Sequence, residues 1–340
     1  MKLPEAQNSI AAKIDKFHES KVENPRPHMG CSQLGHPCDR WLWLSFRWAV
    51  RSNFSGRMLR LFRRGQNEEQ TVIEDLRAVD INVRYQAKQE RVDFGSHVSG
   101  SIDGIIDSGV PGAVRTKHVL EIKTHGKKSF DDLEKHGVEK SKFQHFVQMQ
   151  VYMHGARLDR ALYVAVCKDD DRIYTERVYY HEETAVKYIE RGKRIALSDR
   201  MPEPLSTDPS WYECKFCPAY EFCHQTKLTK EVNCRTCANS TAKDDSTWHC
   251  ERWDDRIPTT AQYDGCEAHV LHPDMVPWQR KESDTEWQAI YLIDNREVRN
   301  GEADVNVYGS SEIIANPALC ASDDATVREF RETFDAKVVG

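Results

Sequence analysis

Two short apolar segments of the sequence carry charged residues at positions that a strand would bury. The first is GSIDGIID, residues 100–107, which contains Asp103, and the second is LEIKT, residues 120–124, which contains Glu121 and Lys123. A carboxylate in an apolar strand costs several kcal/mol unless it is paired or binds a metal. The chain must therefore fold so that these strands have an exposed face, or so that the three charged side chains point at one another.

The hydrophobic periodicity around these segments predicts an α/β fold. Period-two alternation and flanking turn residues predict strands over residues 86–94, 97–107, 118–124, 160–168 and 171–180. Helical spacing predicts helices over residues 5–22, within 38–79, and over 142–158 and 182–199. The order is helix, three strands, helix, two strands and helix, which is typical of an α/β core with a mixed sheet.

Length and charge exclude several classes of protein. A chain of 340 residues can form one large domain or two, and its net charge of -6 gives no overall basic footprint for nucleic acid. The first twenty residues lack the apolar run of a signal peptide, and no stretch approaches membrane-spanning length. We therefore expect a cytoplasmic protein that does not associate with membranes, whose nucleic-acid contacts, if any, come from local patches.

The charged strand residues can form a site for a hard cation. Side chains two residues apart on a strand share a face, so Glu121 and Lys123 project together, and Asp103 can join them from a neighbouring strand. Two carboxylates and the carbonyl of Ile122 would form an oxygen site suited to Mg²⁺ or Mn²⁺. Lys123 would then orient a water or stabilise a developing oxyanion. The alternative is a solvated strand face that carries an ordinary salt bridge.

These residues resemble the PD-(D/E)xK nuclease superfamily, and within it the RecB-like branch. SGSIDGII and LEIKT are similar to its two central motifs, and QMQVY contains Gln148 and Tyr152, similar to the Q-x3-Y element on the helix that follows. Upstream, RRGQNEE resembles the G-x3-(H/E) motif, with Glu69 four residues after Gly65 and Glu68 as a rival for the role.

The resemblance implies a metal-dependent deoxyribonuclease with a mixed central sheet flanked by helices. The carboxylates and the Ile122 carbonyl would hold Mg²⁺ or Mn²⁺, Lys123 would activate or position the water, and the glutamine and tyrosine would orient the substrate strand. The residues that it assigns to catalysis are Glu69, Asp103, Glu121, Lys123, Gln148 and Tyr152.

A first set of cysteines follows the predicted core in YECKFCPAYEFCHQ, at Cys214, Cys217 and Cys223. In a reducing compartment clustered cysteines more often bind metal than form disulfides, and three are one ligand short of a closed site. The fourth would be Cys38, or Cys31 in reserve. One cysteine before the core and C-x2-C-x5-C after it resemble the iron–sulfur RecB-like nucleases, including the AddB-type and CRISPR-associated exonucleases. There a [4Fe–4S] cluster ties the two ends of the domain together, and CDRWLWL favours Cys38.

Thiolate ligands alone do not distinguish iron–sulfur from zinc at this first set, although the family spacing favours [4Fe–4S]. A second set lies further along the chain, at Cys234, Cys237, Cys250 and Cys266. Its spacing predicts a structural zinc site, with His269 or His272 as a substitute for one ligand. The surrounding segment, residues 232–277, has few aliphatic residues, so a metal would supply folding energy. The alternative is a loop with unpaired cysteines.

Basic residues near the predicted core are candidates for contacts with DNA phosphates. Arg57, Arg60 and Arg64 fall on one helical face, and Lys127 and Lys128 begin a lysine-rich connector. For both groups the alternative is a solvated charged surface.

These predictions divide the chain into four parts and suggest a function. The parts are an N-terminal helical segment (1–37), a RecB-like nuclease domain closed by an iron–sulfur staple (38–225), a zinc-binding module (226–280) and a C-terminal extension of unknown role (281–340). We expect an exonuclease that acts on DNA ends or single strands during DNA recombination, replication or repair. The cysteine-rich tail resembles that of nucleases encoded by phages and prophages, so a recombination or replication protein is the expected partner.

Two other classes of protein fit parts of the pattern. One is a nuclease-derived DNA-binding or adaptor protein that does not cleave and uses its cysteine modules for binding. The other is an iron–sulfur redox protein, against which stands the lack of a glycine-rich nucleotide-binding motif.

Overall fold

The computed structural model describes residues 9–21, 24–84, 90–322 and 324–339. The helices are α1 Ile10–Glu19, α2 Asp39–Phe46, α3 Gly56–Ala78, α4 Lys127–Ser141, α5 Phe143–Ala156, α6 Glu182–Leu197, α7 Tyr212–Lys215, α8 Thr259–Gln262, α9 Ser310–Ala315, α10 Pro317–Cys320 and α11 Ala325–Phe334. The strands are β1 Met29–Gly30, β2 Asn82–Arg84, β3 Arg91–Asp93, β4 Val98–Ser101, β5 Gly104–Ser108, β6 His118–His125, β7 Arg160–Cys167, β8 Ile173–Tyr179, β9 Ser240–Ala242, β10 Trp248–Cys250, β11 Asp255–Ile257, β12 Gln279–Lys281, β13 Ala289–Ile293, β14 Arg296–Asn300 and β15 Val307–Tyr308.

The chain divides into two compact units. Unit 1 comprises Met1–His36 and Ser52–Lys193, and unit 2 comprises Pro37–Arg51 and Arg194–Gly340. The predicted segment 38–225 thus contributes to both units, and the predicted division into four parts stays a prediction. Within the described ranges, no helix is both long enough and apolar enough to cross a membrane.

The main sheet of unit 1 has the strand order β2-β5-β6-β7-β8. The β6–β7 pair is parallel, and the other neighbouring pairs are antiparallel. A smaller sheet of order β1-β4-β3 lies in the same unit. The predicted α/β class with a mixed sheet is therefore confirmed.

The core of unit 1 lies between α3 and one face of the main sheet. Leu120 and Ile122 point to this face from β6, whereas Glu121 alternates to the other face. Hydrogen bonds from the side chains of α5 place that helix over the Glu121 face. The core cluster comprises Val72, Ile73, Ile81, Val83, Ile106, Val110, Leu120, Ile122, Leu162, Val164 and Val166.

The strand predicted over residues 97–107 is wrong in one respect, because the structure breaks it into β4 and β5. These two strands belong to different sheets, and the break leaves Asp103 directly before β5. The prediction for residues 86–94 is met in part by β3, and residues 86–89 lie outside the described part. In unit 1 the sequence patterns missed β1, β2 and α4, whereas β6, β7 and β8 lie within two residues of their predicted ends.

Unit 2 is built around a buried segment that precedes α3 in the chain. This segment, Pro37–Arg51, contains α2, and its Trp43 side chain is completely buried and donates a hydrogen bond to the carbonyl of Ser198 at 2.8 Å. The Arg47 guanidinium is also buried and donates to the carbonyl of Arg235 at 3.3 Å. Two further sheets, of order β11-β10-β9 and β12-β13-β14-β15, complete this unit.

Candidate active site

The candidate site forms around Glu121, which exposes none of its surface. Glu121 and Lys123 share the face of β6 that α5 covers, and their side chains form an ion pair through Oε1 and Nζ. The other carboxylate oxygen, Oε2, accepts a hydrogen bond from Nε2 of Gln148 at 3.0 Å. Both oxygens of a fully buried carboxylate are thus satisfied by side chains that the sequence analysis had assigned to the site.

Asp103, which directly precedes β5, lies next to this ion pair. The antiparallel register pairs Gly104 with Leu120, which sets Asp103 opposite Glu121. The Asp103 Oδ2 atom accepts a hydrogen bond from the backbone N–H of Ile122 at 3.0 Å. This bond attaches the aspartate to β6 between Glu121 and Lys123, so the structure brings the three charged residues together.

A third carboxylate comes from α3. Burial and then the charge of Asp103 raise the pKa of Glu69 to about 7, against the opposing effect of Lys123. The charge of Glu69 also acts on Glu121. Glu69 therefore interacts with the charges of the cluster, and its role in place of its rival Glu68 stays a prediction.

Burial and the charge of the ion-pair partner shift the pKa values of Glu121 and Lys123 in opposite directions. Burial raises the pKa of Glu121 above its ordinary value, although Lys123 works against this. Burial alone would lower the pKa of Lys123, but the nearby carboxylates outweigh it and raise the pKa. The ammonium also donates a hydrogen bond to the Ile122 carbonyl at 3.3 Å. The side chain of Lys123 is thus kept positively charged by the neighbouring carboxylates.

Gln148 and Tyr152 lie four residues apart on α5, on one face of the helix. Tyr152 is buried, and burial followed by the charge of Glu121 raises the pKa of its hydroxyl. Cys31, the reserve ligand of the first cysteine set, is buried in unit 1 and interacts with Tyr152. Gln148 contacts Glu121, and the charges of Glu121 and Asp103 act on Tyr152. The role of both residues in orienting the substrate strand stays a prediction.

The predicted DNA-contacting residues all lie in unit 1, at Arg57, Arg60, Arg64, Lys127 and Lys128. Arg60 forms an ion pair with Asp15 of α1, and Arg64 donates a hydrogen bond to the carbonyl of Lys168 at 3.1 Å. Arg57 and both lysines are exposed. These positions are compatible with phosphate contacts and with an ordinary charged surface.

The first cysteine set lies in unit 2 and includes Cys38. Burial raises the pKa of Cys217 to about 11, and the charges of Cys38, Cys223 and Cys214 raise it further. The sulfur of Cys38 also accepts a hydrogen bond from the backbone N–H of Trp41 at 3.4 Å, which caps α2. The charges of the four cysteines proposed as ligands therefore interact, although Cys38 lies far from the other three in sequence.

The second cysteine set also lies in unit 2, at Cys234, Cys237, Cys250 and Cys266. Burial raises the pKa of Cys234 to about 12, and the charges of the other three cysteines contribute to the shift. The sulfur of Cys237 accepts backbone N–H groups from Asn239 at 3.4 Å and from Val270 at 3.5 Å. Such N–H donors stabilise a thiolate.

His269, the proposed substitute zinc ligand, uses both ring nitrogens in hydrogen bonds. Nδ1 lies 2.8 Å from the Ser310 hydroxyl, and Nε2 lies 3.1 Å from the carbonyl of Asn233. Burial lowers the pKa of this histidine to about 4. These contacts favour a set of four thiols over one that includes His269.

In neither set, nor at the carboxylates, do the described side chains already form a closed coordination shell. No group of three or more His, Cys, Asp or Glu side chains in the described part of the chain is arranged to hold a metal ion. The donors are neighbours whose charges interact, and any assignment of a metal rests on their chemistry.

The sequence analysis missed two histidines that lie on the same side of the main sheet. His125 alternates with Glu121 and Lys123 on β6, and His145 precedes Gln148 by three residues on α5. Both hydrogen-bond to the hydroxyl of Tyr163. The period-two and period-three spacing from residues already identified was the signal that could have found them.

Comparisons with known proteins show low similarity. No protein-family model matches the chain, and no curated protein matches it. Among solved structures, SSO0001 has 15% sequence identity and a TM-score of 0.41, over 64% of this chain and 98% of that one. The alkaline exonuclease LHK-Exo from Laribacter hongkongensis has 14% identity and a TM-score of 0.32, over 54% of this chain and 89% of that one. Its complex with dAMP has 13% identity and a TM-score of 0.35, with the same coverage. At this level of similarity, the roles of individual residues rest on the geometry of the chain itself.

Proposed function

We propose that the protein is a metal-dependent nuclease of the PD-(D/E)xK superfamily that hydrolyses phosphodiester bonds in DNA. The observation that carries this proposal is the 3.0 Å hydrogen bond from the Ile122 N–H to Asp103 Oδ2. It attaches the aspartate beside Glu121 and Lys123, which would otherwise be costly charges in an apolar strand. A salt bridge on an exposed strand face does not explain this arrangement, because Glu121 is completely buried.

The carboxylate cluster has a donor set that fits a hard divalent cation. Asp103, Glu121 and Glu69 bring three carboxylates together, and the raised pKa of Glu69, to about 7, reflects burial and the neighbouring negative charge. These three groups and the Ile122 carbonyl would hold Mg²⁺ or Mn²⁺. When bound, such an ion polarises the scissile phosphate and lowers the pKa of a coordinated water.

The remaining residues of the site have roles that follow from their contacts. Lys123 carries a positive charge beside the carboxylates, where it can position the attacking water or stabilise negative charge on the phosphate. Gln148 holds Glu121 through Oε2, so it fixes the orientation of the carboxylate. Tyr152 is buried, and the charges of Glu121 and Asp103 act on its hydroxyl. The basic residues proposed to contact the DNA backbone are Arg57, Arg60, Arg64, Lys127 and Lys128.

The two cysteine sets are proposed to bind metals that stabilise unit 2. Cys38, Cys214, Cys217 and Cys223 would hold a [4Fe–4S] cluster, and zinc is the alternative for these four ligands. The second set would hold Zn²⁺ through its four thiolates. Because Cys38 belongs to the segment Pro37–Arg51, the first cluster would join this segment to the rest of unit 2.

The finer biological role is proposed from the order of the sequence motifs. Four motifs in the order typical of RecB-like nucleases, followed by C-x2-C-x5-C, support an exonuclease of the iron–sulfur branch that acts on DNA ends or single strands. The cysteine-rich tail supports a phage or prophage origin and a role in recombination, replication or repair. A recombination or replication protein would then be its partner.

Cleavage of DNA tests the proposed function directly. Anaerobically purified protein is incubated with end-labelled single-stranded and double-stranded DNA and with Mg²⁺ or Mn²⁺. We expect Asp103→Asn to keep the fold and to lose at least about a hundredfold in cleavage rate, because the amide cannot replace a carboxylate ligand. Asp107→Asn is the matched control, since Asp107 lies on β5, which Asp103 directly precedes, and pairs with Arg84 at 2.7 Å.

The outcomes of this experiment separate the candidate functions. Equal cleavage by wild type and Asp103→Asn would overturn the assignment of the site. DNA binding without cleavage by the wild type would favour the non-cleaving adaptor.

Metal analysis of the same anaerobic protein tests the cysteine sets. We expect four irons and four sulfides per chain from a [4Fe–4S] cluster, together with one zinc ion. Cys217→Ser is expected to remove the iron and Cys237→Ser the zinc, each lowering the melting temperature. Cys167→Ser, in unit 1, is the control that should retain both metals. Protein that contains two zinc ions and no iron would contradict the iron–sulfur assignment.

A further inference from the structure

A buried chain of hydrogen bonds runs along the Glu121 face of the main sheet. Tyr163 is the register partner of Glu121 on β7 and exposes none of its surface. Its hydroxyl lies 2.9 Å from Nε2 of His125 and 2.9 Å from Nδ1 of His145. The chain continues to the Ser129 hydroxyl, which lies 3.2 Å from Nδ1 of His125.

The number of hydrogens in this chain couples the tautomers of its two histidines. A tyrosine hydroxyl has one hydrogen to donate, so it donates to one imidazole and accepts from the other. A neutral imidazole has one donor and one acceptor nitrogen. If Tyr163 donates to Nδ1 of His145, then Nε2 of His145 carries a hydrogen and is a donor. The direction of the hydrogen bond at Tyr163 is thus coupled to whether Nε2 of His145 is a donor or an acceptor.

The surroundings keep both imidazoles neutral. Burial, together with the charges of Lys142, Lys168 and Lys123, lowers the pKa of His125 to about 4. Burial likewise lowers the pKa of His145 to about 3, with contributions from Lys123, His125 and Lys142. Lysines therefore supply the positive charge at this end of β6, and the histidines act as neutral hydrogen-bonding groups.

The position of His145 connects this chain to the candidate active site. His145 precedes Gln148 by three residues on α5, so the two share a helix face, and Gln148 contacts Glu121. The charge of Lys123 acts on His145. His145 is partly exposed, whereas Tyr163 and His125 are buried. The other end of the chain, Ser129, is also partly exposed, but His145 is the end that shares a helix face with Gln148 of the candidate active site.

We propose that His145 contacts the bound DNA strand and donates a hydrogen bond from Nε2 to a non-bridging phosphate oxygen beside the scissile bond. This inference rests on the proposed nuclease function. Phosphate oxygens are acceptors, so bound DNA selects the polarity in which Tyr163 donates to Nδ1. Tyr163 is then a positioning residue, since it acts on DNA through His145.

Two substitutions at His145 separate a DNA contact from a structural role. In His145→Asn, the side-chain amide occupies the position of Nδ1 and can keep the bond to Tyr163, but it cannot reach the position of Nε2. In His145→Gln, the amide reaches the position of Nε2 and can still donate. The matched control is His154→Asn, because His154 lies on the same helix and its Nδ1 bonds a tyrosine hydroxyl, that of Tyr180, at 2.7 Å.

The probe is a set of fluorescent single-stranded oligonucleotides, each with one neutral methylphosphonate that replaces a phosphate at a different position. Binding is measured by fluorescence anisotropy with Ca²⁺, and cleavage with Mg²⁺ or Mn²⁺. We expect a methylphosphonate at one position to weaken DNA binding by the wild type and by His145→Gln about tenfold. Binding by His145→Asn should be almost unaffected by the same methylphosphonate. His154→Asn should reproduce the wild-type profile.

Each outcome supports or overturns the contact. A wild-type profile in His145→Asn would overturn it, and so would loss of the sensitive position in His145→Gln. If His145→Asn fails to fold, the methylphosphonate profile of His145→Gln tests the contact by itself, and loss of the sensitive position overturns the contact. Failure of the wild type to cleave DNA with either metal would overturn the proposed function, whereas the anisotropy profiles would still test the contact.

Discussion

At the scale of single residues, the site depends on a carboxylate that the fold buries completely. Glu121 has no exposed surface, and its two oxygens are engaged by Lys123 and Gln148. Removal of one partner from a buried ion pair leaves an uncompensated charge, which costs more than the pair contributes. The polar residues around Glu121 are therefore needed for stability as well as for the proposed chemistry.

Two adjacent glutamates on α3 allow a sharp comparison at this scale. Glu69 interacts with Asp103, Lys123 and Glu121, and Glu68 is its neighbour in sequence. We expect Glu69→Gln to lower the rate of metal-dependent DNA cleavage by about ten- to a hundredfold, because it removes one negative ligand of the proposed ion. Glu68→Gln should stay within about twofold of the wild type. Steady-state cleavage over a range of Mn²⁺ concentrations measures both, and equal losses would contradict the assignment of Glu69.

At the scale of elements, β4 and α5 approach each other closely at a glycine. A Cβ atom on Gly100 would lie 2.9 Å from the Cβ and Sγ atoms of Cys31 and 2.9 Å from Cε1 of Tyr152. Real Cβ contacts are almost never this short, so a larger residue would have to push Tyr152 away. The glycine thus allows the small sheet to pack against the helix that carries Gln148 and Tyr152.

We expect Gly100→Ala to lower the free energy of unfolding by about 1–3 kcal/mol and to reduce cleavage, because it displaces Tyr152. Gly104→Ala is the matched control on the neighbouring strand. There a Cβ atom would lie 3.4 Å from side-chain atoms of Leu120 and Val83, so a smaller loss is expected. Urea unfolding measures the stability of each variant. A Gly100→Ala protein as stable as wild type would show that the packing at this point is loose.

At the scale of the whole molecule, both units contain histidines whose pKa values lie well below the ordinary value. Burial is the largest cause of the lowered pKa values, which are about 4 for His125 and about 3 for His145 in unit 1. They are about 4 for His269 and about 3 for His272 in unit 2. Each of these histidines has an ordinary pKa of 6.5 when the chain is unfolded. The unfolded chain therefore binds more protons than the native one at mildly acidic pH.

The sign of the pH dependence follows from this difference. The stabilisation from a neutral buried histidine is fully present above the unfolded pKa of 6.5 and is lost as the pH falls toward the folded value of about 4 for His125. Each such histidine contributes a slope of about 1.4 kcal/mol per pH unit in that window. We expect His125→Gln to flatten the dependence of unfolding free energy between about pH 6.5 and about pH 5. Urea unfolding of His136→Gln, a substitution of an exposed histidine, should show the wild-type slope.

Local patterns in the chain predicted many of the helices and strands of unit 1 and several residues of the proposed site. The alternation of apolar and polar residues predicted β6, β7 and β8, because the two faces of a strand are set by the backbone. The same rule predicted that Glu121 and Lys123 share a face. The isolated acid in an apolar segment pointed to Asp103, and the resemblance to the family's motifs implied Glu69 and Gln148, before any contact was known.

Contacts between segments that are distant in sequence determined the features that local patterns did not predict. The break between β4 and β5 depends on which sheet each half joins, and this follows from hydrogen bonds with strands far away in the chain. The place of Cys38 in unit 2 and the chain through Tyr163 to His145 likewise depend on packing between distant segments. The spacing of apolar residues shows which face of a helix or strand is buried, but it does not show which other segment of the chain packs against that face.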